Sequence, residues 1–168
     1  MSSENKVRVF SAFPGMGKSY ASNFINSKDP FVAKGIVAVD IDSADWHWVA
    51  PGVENPNWKS DYFNAIKYTL SHTCVGYVFV STHEDTRKFL REAGIPYEIV
   101  VPSLSESYKA QYIQRLKNRG SNENLIAKIS DNYEKWITDI LKEETTEHPI
   151  HIMNDGQFII DLIYKDLE

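Results

Sequence analysis

Apolar positions along the chain alternate between two rhythms, short continuous runs and stripes with helical spacing. Residues 7–13 read as a buried strand, and residues 19–25 open a helical pattern. Residues 35–42, Gly-Ile-Val-Ala-Val-Asp-Ile-Asp, give a second strand that is apolar on both faces up to its carboxyl end, as in a parallel sheet covered on both sides. A loop rich in Pro, Gly and Asn at 50–57 precedes a helix over 60–70, where Tyr62, Phe63, Ile66 and Leu70 keep helical spacing. A third strand at 76–81, a helix at 84–93 stopped by Gly94 and Pro96, and a fourth strand at 97–101 continue the alternation. Ser105 opens a helix that Gly120 ends, and a further helical stretch runs over 122–142 with an interruption expected near Ser130-Asp131. A fifth strand at 148–153 and a last helix at 157–167 complete the chain.

Strands alternating with helices through short connections predict a three-layer α/β fold, a parallel five-stranded sheet between helices, whose ligands gather at the carboxyl ends of the strands. The 168 residues suit one domain. A net charge of −5 argues against a broad nonspecific nucleic-acid surface, although a local basic groove would survive this average. No apolar run approaches the roughly 18 residues of a membrane span, and Cys74 is the single cysteine, expected to serve packing. A cytoplasmic location is expected, or the host cytoplasm for a viral source.

The first strand runs into Ala12-Phe13-Pro14-Gly15-Met16-Gly17-Lys18-Ser19, the phosphate-binding loop pattern with Ala in place of the first Gly. Each position has its own physical task. Glycine permits the positive-φ backbone that turns N–H groups toward phosphate oxygens, Lys18 reaches the β- and γ-phosphates, and Ser19 ligates Mg²⁺. The helix that follows adds partial positive charge at its N-terminus. Residues 14–20, from Pro14 through Met16 to Tyr20, are therefore the expected nucleotide-binding stretch.

Other candidates sit at the remaining strand ends. Asp40 and Asp42 place carboxylates beside the phosphate site, to take a proton, hold Mg²⁺ through water or orient an acceptor; Asp42 is equally suited to cap the next turn. Trp46 and Trp48 offer flat rings for stacking on a base, or for packing. The third strand ends Ser81-Thr82-His83-Glu84, without the aspartate that often completes a Mg²⁺ shell there. Arg87, one turn on, suits an acceptor phosphate or carboxylate, or a solvated helix face. Arg115 and Arg119 share a helix face at i, i+4, suited to neutralising charge during phosphoryl transfer or to forming an exposed basic helix.

Together these motifs resemble the P-loop kinases of the nucleoside monophosphate kinase type along essentially the whole chain, and more faintly the small kinase-like proteins of bacteriophages. The resemblance implies a single kinase domain over 1–168 with an arginine-bearing LID-like element at 103–130. It implies Mg·ATP as phosphoryl donor, with Lys18, Asp40, Arg115 and Arg119 catalytic, Ser19 and Asp40 on the metal, and Asn154 to Gly156 beside the adenine. The expected acceptor is a deoxynucleoside or nucleoside monophosphate near Asp42, Trp46, Trp48 and Arg87. Phosphorylation of DNA or a modified base is the rival enzyme reading, and a non-catalytic ATP-binding switch the rival outside enzymology.

Overall fold

The computed structural model describes residues 6–143 and 148–167. Five parallel strands make the central sheet: β1 (Arg8–Ala12), β2 (Val37–Asp40), β5 (Val75–Ser81), β6 (Glu98–Pro102) and β7 (Ile150–Met153), in the spatial order β2-β5-β1-β6-β7. The middle strand β1 is paired on both sides, Phe10 standing opposite Phe79 of β5 and Glu98 of β6. Burial on both faces explains the unbroken apolar runs, since Val9, Phe10, Val78, Phe79, Val80, Ile99, Val100 and Val101 are all fully or nearly fully buried.

Helix α1 (Lys18–Ser27) packs against β2 and β5 and against α8 (Ile159–Tyr164), while α4 (Trp58–Leu70) packs on β5. Helices α5 (Glu84–Glu92), α6 (Glu106–Asn118) and α7 (Glu123–Glu143) complete the layers, with α6 against α7. Ser105 caps α6 as its Oγ accepts from Tyr108 N–H at 3.2 Å. The expected three-layer α/β architecture with a parallel five-stranded sheet is therefore the one observed.

Three local expectations are corrected. Helix α7 runs without interruption through Ser130-Asp131, because its buried stripe of Ile126, Ile129, Tyr133, Ile137 and Ile140 continues across them. Tertiary burial outweighs the weak helix preference of two residues. The stretch 50–57 is not a plain loop: β3 (Trp48–Ala50) and β4 (Val53–Glu54) pair as a small antiparallel hairpin, and Gly52 at φ 73° makes its turn. Cys74 is exposed in the turn before β5 and packs no core. Two short helices unforeseen in the pattern, α2 (Asp29–Ala33) and α3 (Ala44–His47), flank β2. Among the described residues, no helix is long and apolar enough to cross a membrane.

Candidate functional site

Beyond β1 the chain turns sharply at Gly15 (φ 81°) and Gly17 (φ 92°), both left-handed, and enters α1 at Lys18. Met16 between them is buried and anchors the loop from below. Three contacts fasten the loop to the rest of the fold. Phe13 N–H donates to Val100 O at 2.9 Å, Tyr112 Oη donates to Pro14 O at 2.7 Å, and Ile159 N–H donates to Met16 O at 3.1 Å. A Cβ on Gly15 would stand 2.8 Å from Tyr112 Cε2, so the ring of α6 leaves room for glycine alone.

Burial pushes the Lys18 ammonium below the usual lysine range, Asp40 and Asp42 pull it back up, and the charge of Arg119 pushes it down further. A cation held at this cost is matched to an anionic ligand. Ser19 Oγ donates to Asp40 Oδ2 at 2.9 Å, which joins α1 to the end of β2. Asp40 Oδ1 is buried and has no hydrogen-bond partner among the described residues. Buried carboxylate oxygens are rarely left so; the pair of Ser19 hydroxyl and Asp40 carboxylate fits a hard cation that takes few protein ligands and keeps water and phosphate oxygens for the rest. Among the described residues no group of three His, Cys, Asp or Glu gathers for a metal, so a caged site of protein ligands alone is not built here.

The end of β5 carries hydroxyls where a carboxylate often stands. Ser11 Oγ donates to Ser81 O at 2.7 Å, and Ser81 Oγ shares a 2.9 Å hydrogen bond with Thr86 Oγ1. Tyr62 of α4, read from sequence only as an apolar helix position, ties this end to its neighbour. Its hydroxyl donates to Ile41 O at 3.0 Å and accepts from Ser81 N–H at 3.1 Å. Burial raises its pKa to about 12, the Ser81 hydrogen bonds oppose the rise, and Asp42 and Asp40 add to it.

Asp42 is exposed, and its Oδ1 accepts from Ala44 N–H at 3.0 Å, which is the capping geometry. Arg87 is not on a solvated helix face. It is 3% exposed, and its Nε donates to Thr82 O at 3.0 Å, which makes it a brace for the end of β5. His83 follows, exposed at the residue level; desolvation of its ring lowers its pKa, Asp85 opposes, and Lys128, His47 and Arg87 lower it further.

The two tryptophans are separated. Trp46 joins Val39, Asp40, Ile41, Asp42, Asp45, Ala65 and Thr69 around a cleft of about 290 Å³ at the open edge of β2. Trp48 stacks instead on His47, with ring centroids 4.5 Å apart, and His47 stacks on Trp58 at 4.7 Å. His47 Nε2 lies 3.3 Å from Glu54 Oε1, so the stack pins the hairpin.

On the other side of the loop, Arg115 sits over the Phe158 ring at 4.7 Å and near the Tyr108 and Tyr112 rings at 5.5 and 5.8 Å. The Phe158 side chain lies where a Cβ on Gly17 would meet it, 3.4 Å away. The turn of Asn154, Asp155 and Gly156 leads directly into Phe158, and Asn154 N–H donates to Gln157 Oε1 at 2.9 Å. Arg115, Phe158 and that turn thus gather beside the glycine loop. Arg119 is exposed at the end of α6, and Tyr20 and Pro14 are exposed along the loop and first turn. The buried Tyr108, Tyr112 and Leu116 fix α6 in place.

Parallel sheet order, strand–glycine loop–helix entry and flanking helices define a P-loop α/β fold. Structural comparison agrees. The chain is similar to the tunicamycin resistance protein of Deinococcus radiodurans (TM-score 0.57, 13% identity, 96% of each chain covered). It is similar also to a gluconokinase of Sinorhizobium meliloti 1021 (TM-score 0.56, 14% identity, 98% of this chain and 90% of that one covered). At these identities the likeness establishes the fold. Neither a protein-family model nor a curated protein sequence matches the chain.

Proposed function

We propose that the protein is an ATP-dependent phosphotransferase, a P-loop kinase that moves the γ-phosphoryl of ATP onto an acceptor held at the end of β2. The observation that carries this reading is the junction at Asp40. One carboxylate is bonded to Ser19 of the phosphate loop and also forms the wall of the neighbouring cleft, so donor and acceptor sites meet at a single side chain.

In this reading the N–H groups around Gly15, Gly17 and Lys18 cradle the phosphates, and the Lys18 ammonium offsets their charge. Ser19 and Asp40 would hold the Mg²⁺ that accompanies the nucleotide, which would supply neutralisation of charge on the transferring group. Arg119, whose charge reaches Lys18, adds positive potential over the phosphates, and Arg115 with Phe158 forms the shelf on which the adenine lies beside Asn154 and Gly156. The region 103–130 serves as the arginine-bearing cover. Catalysis is positioning and electrostatics.

The resemblance to nucleoside monophosphate kinases suggests a nucleotide acceptor. A phosphate-bearing acceptor calls for cations, yet Arg87 is buried against Thr82 O and Lys59 pairs with Asp85 at 2.8 Å. The test is ADP formation from Mg·ATP across nucleoside monophosphates, nucleosides, sugars and single- and double-stranded DNA, with Lys18→Ala and Asp40→Asn alongside. A kinase gives acceptor-dependent ADP that Lys18→Ala abolishes, and Asp40→Asn loses turnover while keeping ATP. Tight ATP binding without ADP from any acceptor would instead mark a binding switch.

A further inference from the structure

The cleft at the edge of β2 has an unusual lining for a kinase acceptor site. Its charged members are Asp40, Asp42 and Asp45, its flat wall is Trp46, and neither Lys nor Arg is among its lining residues. Two of the carboxylates are held in place, Asp40 by Ser19 at 2.9 Å and Asp42 by Ala44 N–H at 3.0 Å, while the Asp45 backbone N–H donates to Asp42 O at 3.2 Å. Thr69 Oγ1 donates to Ala65 O at 2.8 Å, which leaves its lone pairs to accept from a ligand. The carboxylates and the hydroxyl of this surface therefore all accept hydrogen bonds, and its charged lining is wholly anionic.

We infer that the acceptor is a ring bearing several hydroxyls and no anionic group, neutral or cationic, stacked by one face on Trp46 with its hydroxyl or amino groups donating to Asp42, Asp45 and Thr69. This rests on the kinase reading of the same site. Hydroxyl and ammonium groups are donors that such a wall satisfies, and an indole face suits the C–H face of a sugar ring or the plane of a base. A phosphate or carboxylate on the acceptor would be brought against the three carboxylates, and the nearest cation, Lys18 behind Asp40, is already matched to the donor's phosphates. In the transfer, an acceptor hydroxyl oxygen bonds to the γ-phosphorus as the bond from that phosphorus to the β,γ-bridging oxygen breaks. The electron pair leaves with ADP, and the hydroxyl proton is released to water.

The shared chemistry has three sources, a nucleoside, a neutral sugar and an amino sugar, and matched pairs separate them. ADP formation is measured with each nucleoside against its 5′-monophosphate, glucose against glucose 6-phosphate and gluconate, and glucosamine against its 6-phosphate. The uncharged or amino member is expected to exceed its anionic partner in kcat/KM by roughly a hundredfold. Asp45→Lys, at an exposed position, is expected to shrink that ratio about tenfold or more. If the anionic partners are preferred and ADP still forms, the kinase reading stands and this acceptor class is wrong. If no member releases ADP although ATP binds, both fail together.

Discussion

Gly15 answers two demands at once, a left-handed backbone at φ 81° and a Tyr112 ring that would stand 2.8 Å from any Cβ. Gly15→Ala is expected to cost about 2 kcal/mol or more and to abolish ATP binding, as read by denaturant titration and by fluorescence of a nucleotide analogue. Lys18 is the opposite case, a residue the free protein holds at a loss. Burial disfavours its charge while Asp40 and Asp42 favour it, so Lys18→Met is expected to end turnover with little change in Tm. A large fall in Tm accompanying the loss of activity would instead mean that Lys18 holds the fold. The residues of the loop were legible in the sequence because the motif fixes both spacing and chemistry. Tyr112 and Tyr62 were not, because helical spacing says which face a side chain occupies and nothing about the distant carbonyl its hydroxyl meets.

At the scale of elements, the Tyr62 hydroxyl couples α4 to the ends of β2 and β5, the two strands that carry Asp40 and Ser81. Tyr62→Phe keeps the ring and removes both hydrogen bonds, leaving Ile41 O and Ser81 N–H without this partner. The expected cost is roughly 1–3 kcal/mol, with kcat reduced more than the KM for ATP, since the loop is fastened elsewhere. An equal change in both would mean that Tyr62 acts on global stability alone. Strands buried on both faces declared themselves as apolar runs, and α6 by its Ser105 cap and Gly120 stop. The β3–β4 hairpin did not, because its exposed Trp48, Val49 and Val53 carry no alternation. The break expected in α7 was a local propensity that the buried isoleucine stripe overrides.

For the whole molecule, the opposite end of the sheet from the site is held by charge. Arg8 bridges Glu98 and Asp166, and His151 Nε2 lies 2.9 Å from Glu98 Oε1. Burial alone would raise the Glu98 carboxyl, but hydrogen bonds from His151 and Arg8, reinforced by their charge, bring it to about 2 from an ordinary 4.5. A depressed carboxylate stabilises the fold fully above its unfolded pKa and loses that contribution as pH falls through the folded one. The expected loss is at most about 3 kcal/mol, between about pH 5 and pH 2. Glu98→Gln should lower stability near neutrality and flatten the acid limb, measured by urea midpoints at about pH 6 and pH 3. An unchanged limb would place the acid sensitivity elsewhere. The order of the sheet, which sets this cluster far from the cleft, could not be read from the alternation of elements, since strand succession along the chain leaves spatial order open.

The central claim, that Asp40 joins a phosphate donor site to an acceptor cleft, is tested most directly by following the label from γ-³²P-ATP. Appearance of the label in an organic product, dependent on added acceptor and absent with Lys18→Ala, is the predicted result. Label recovered only as inorganic phosphate, or retained in ATP under saturating acceptor, would contradict it.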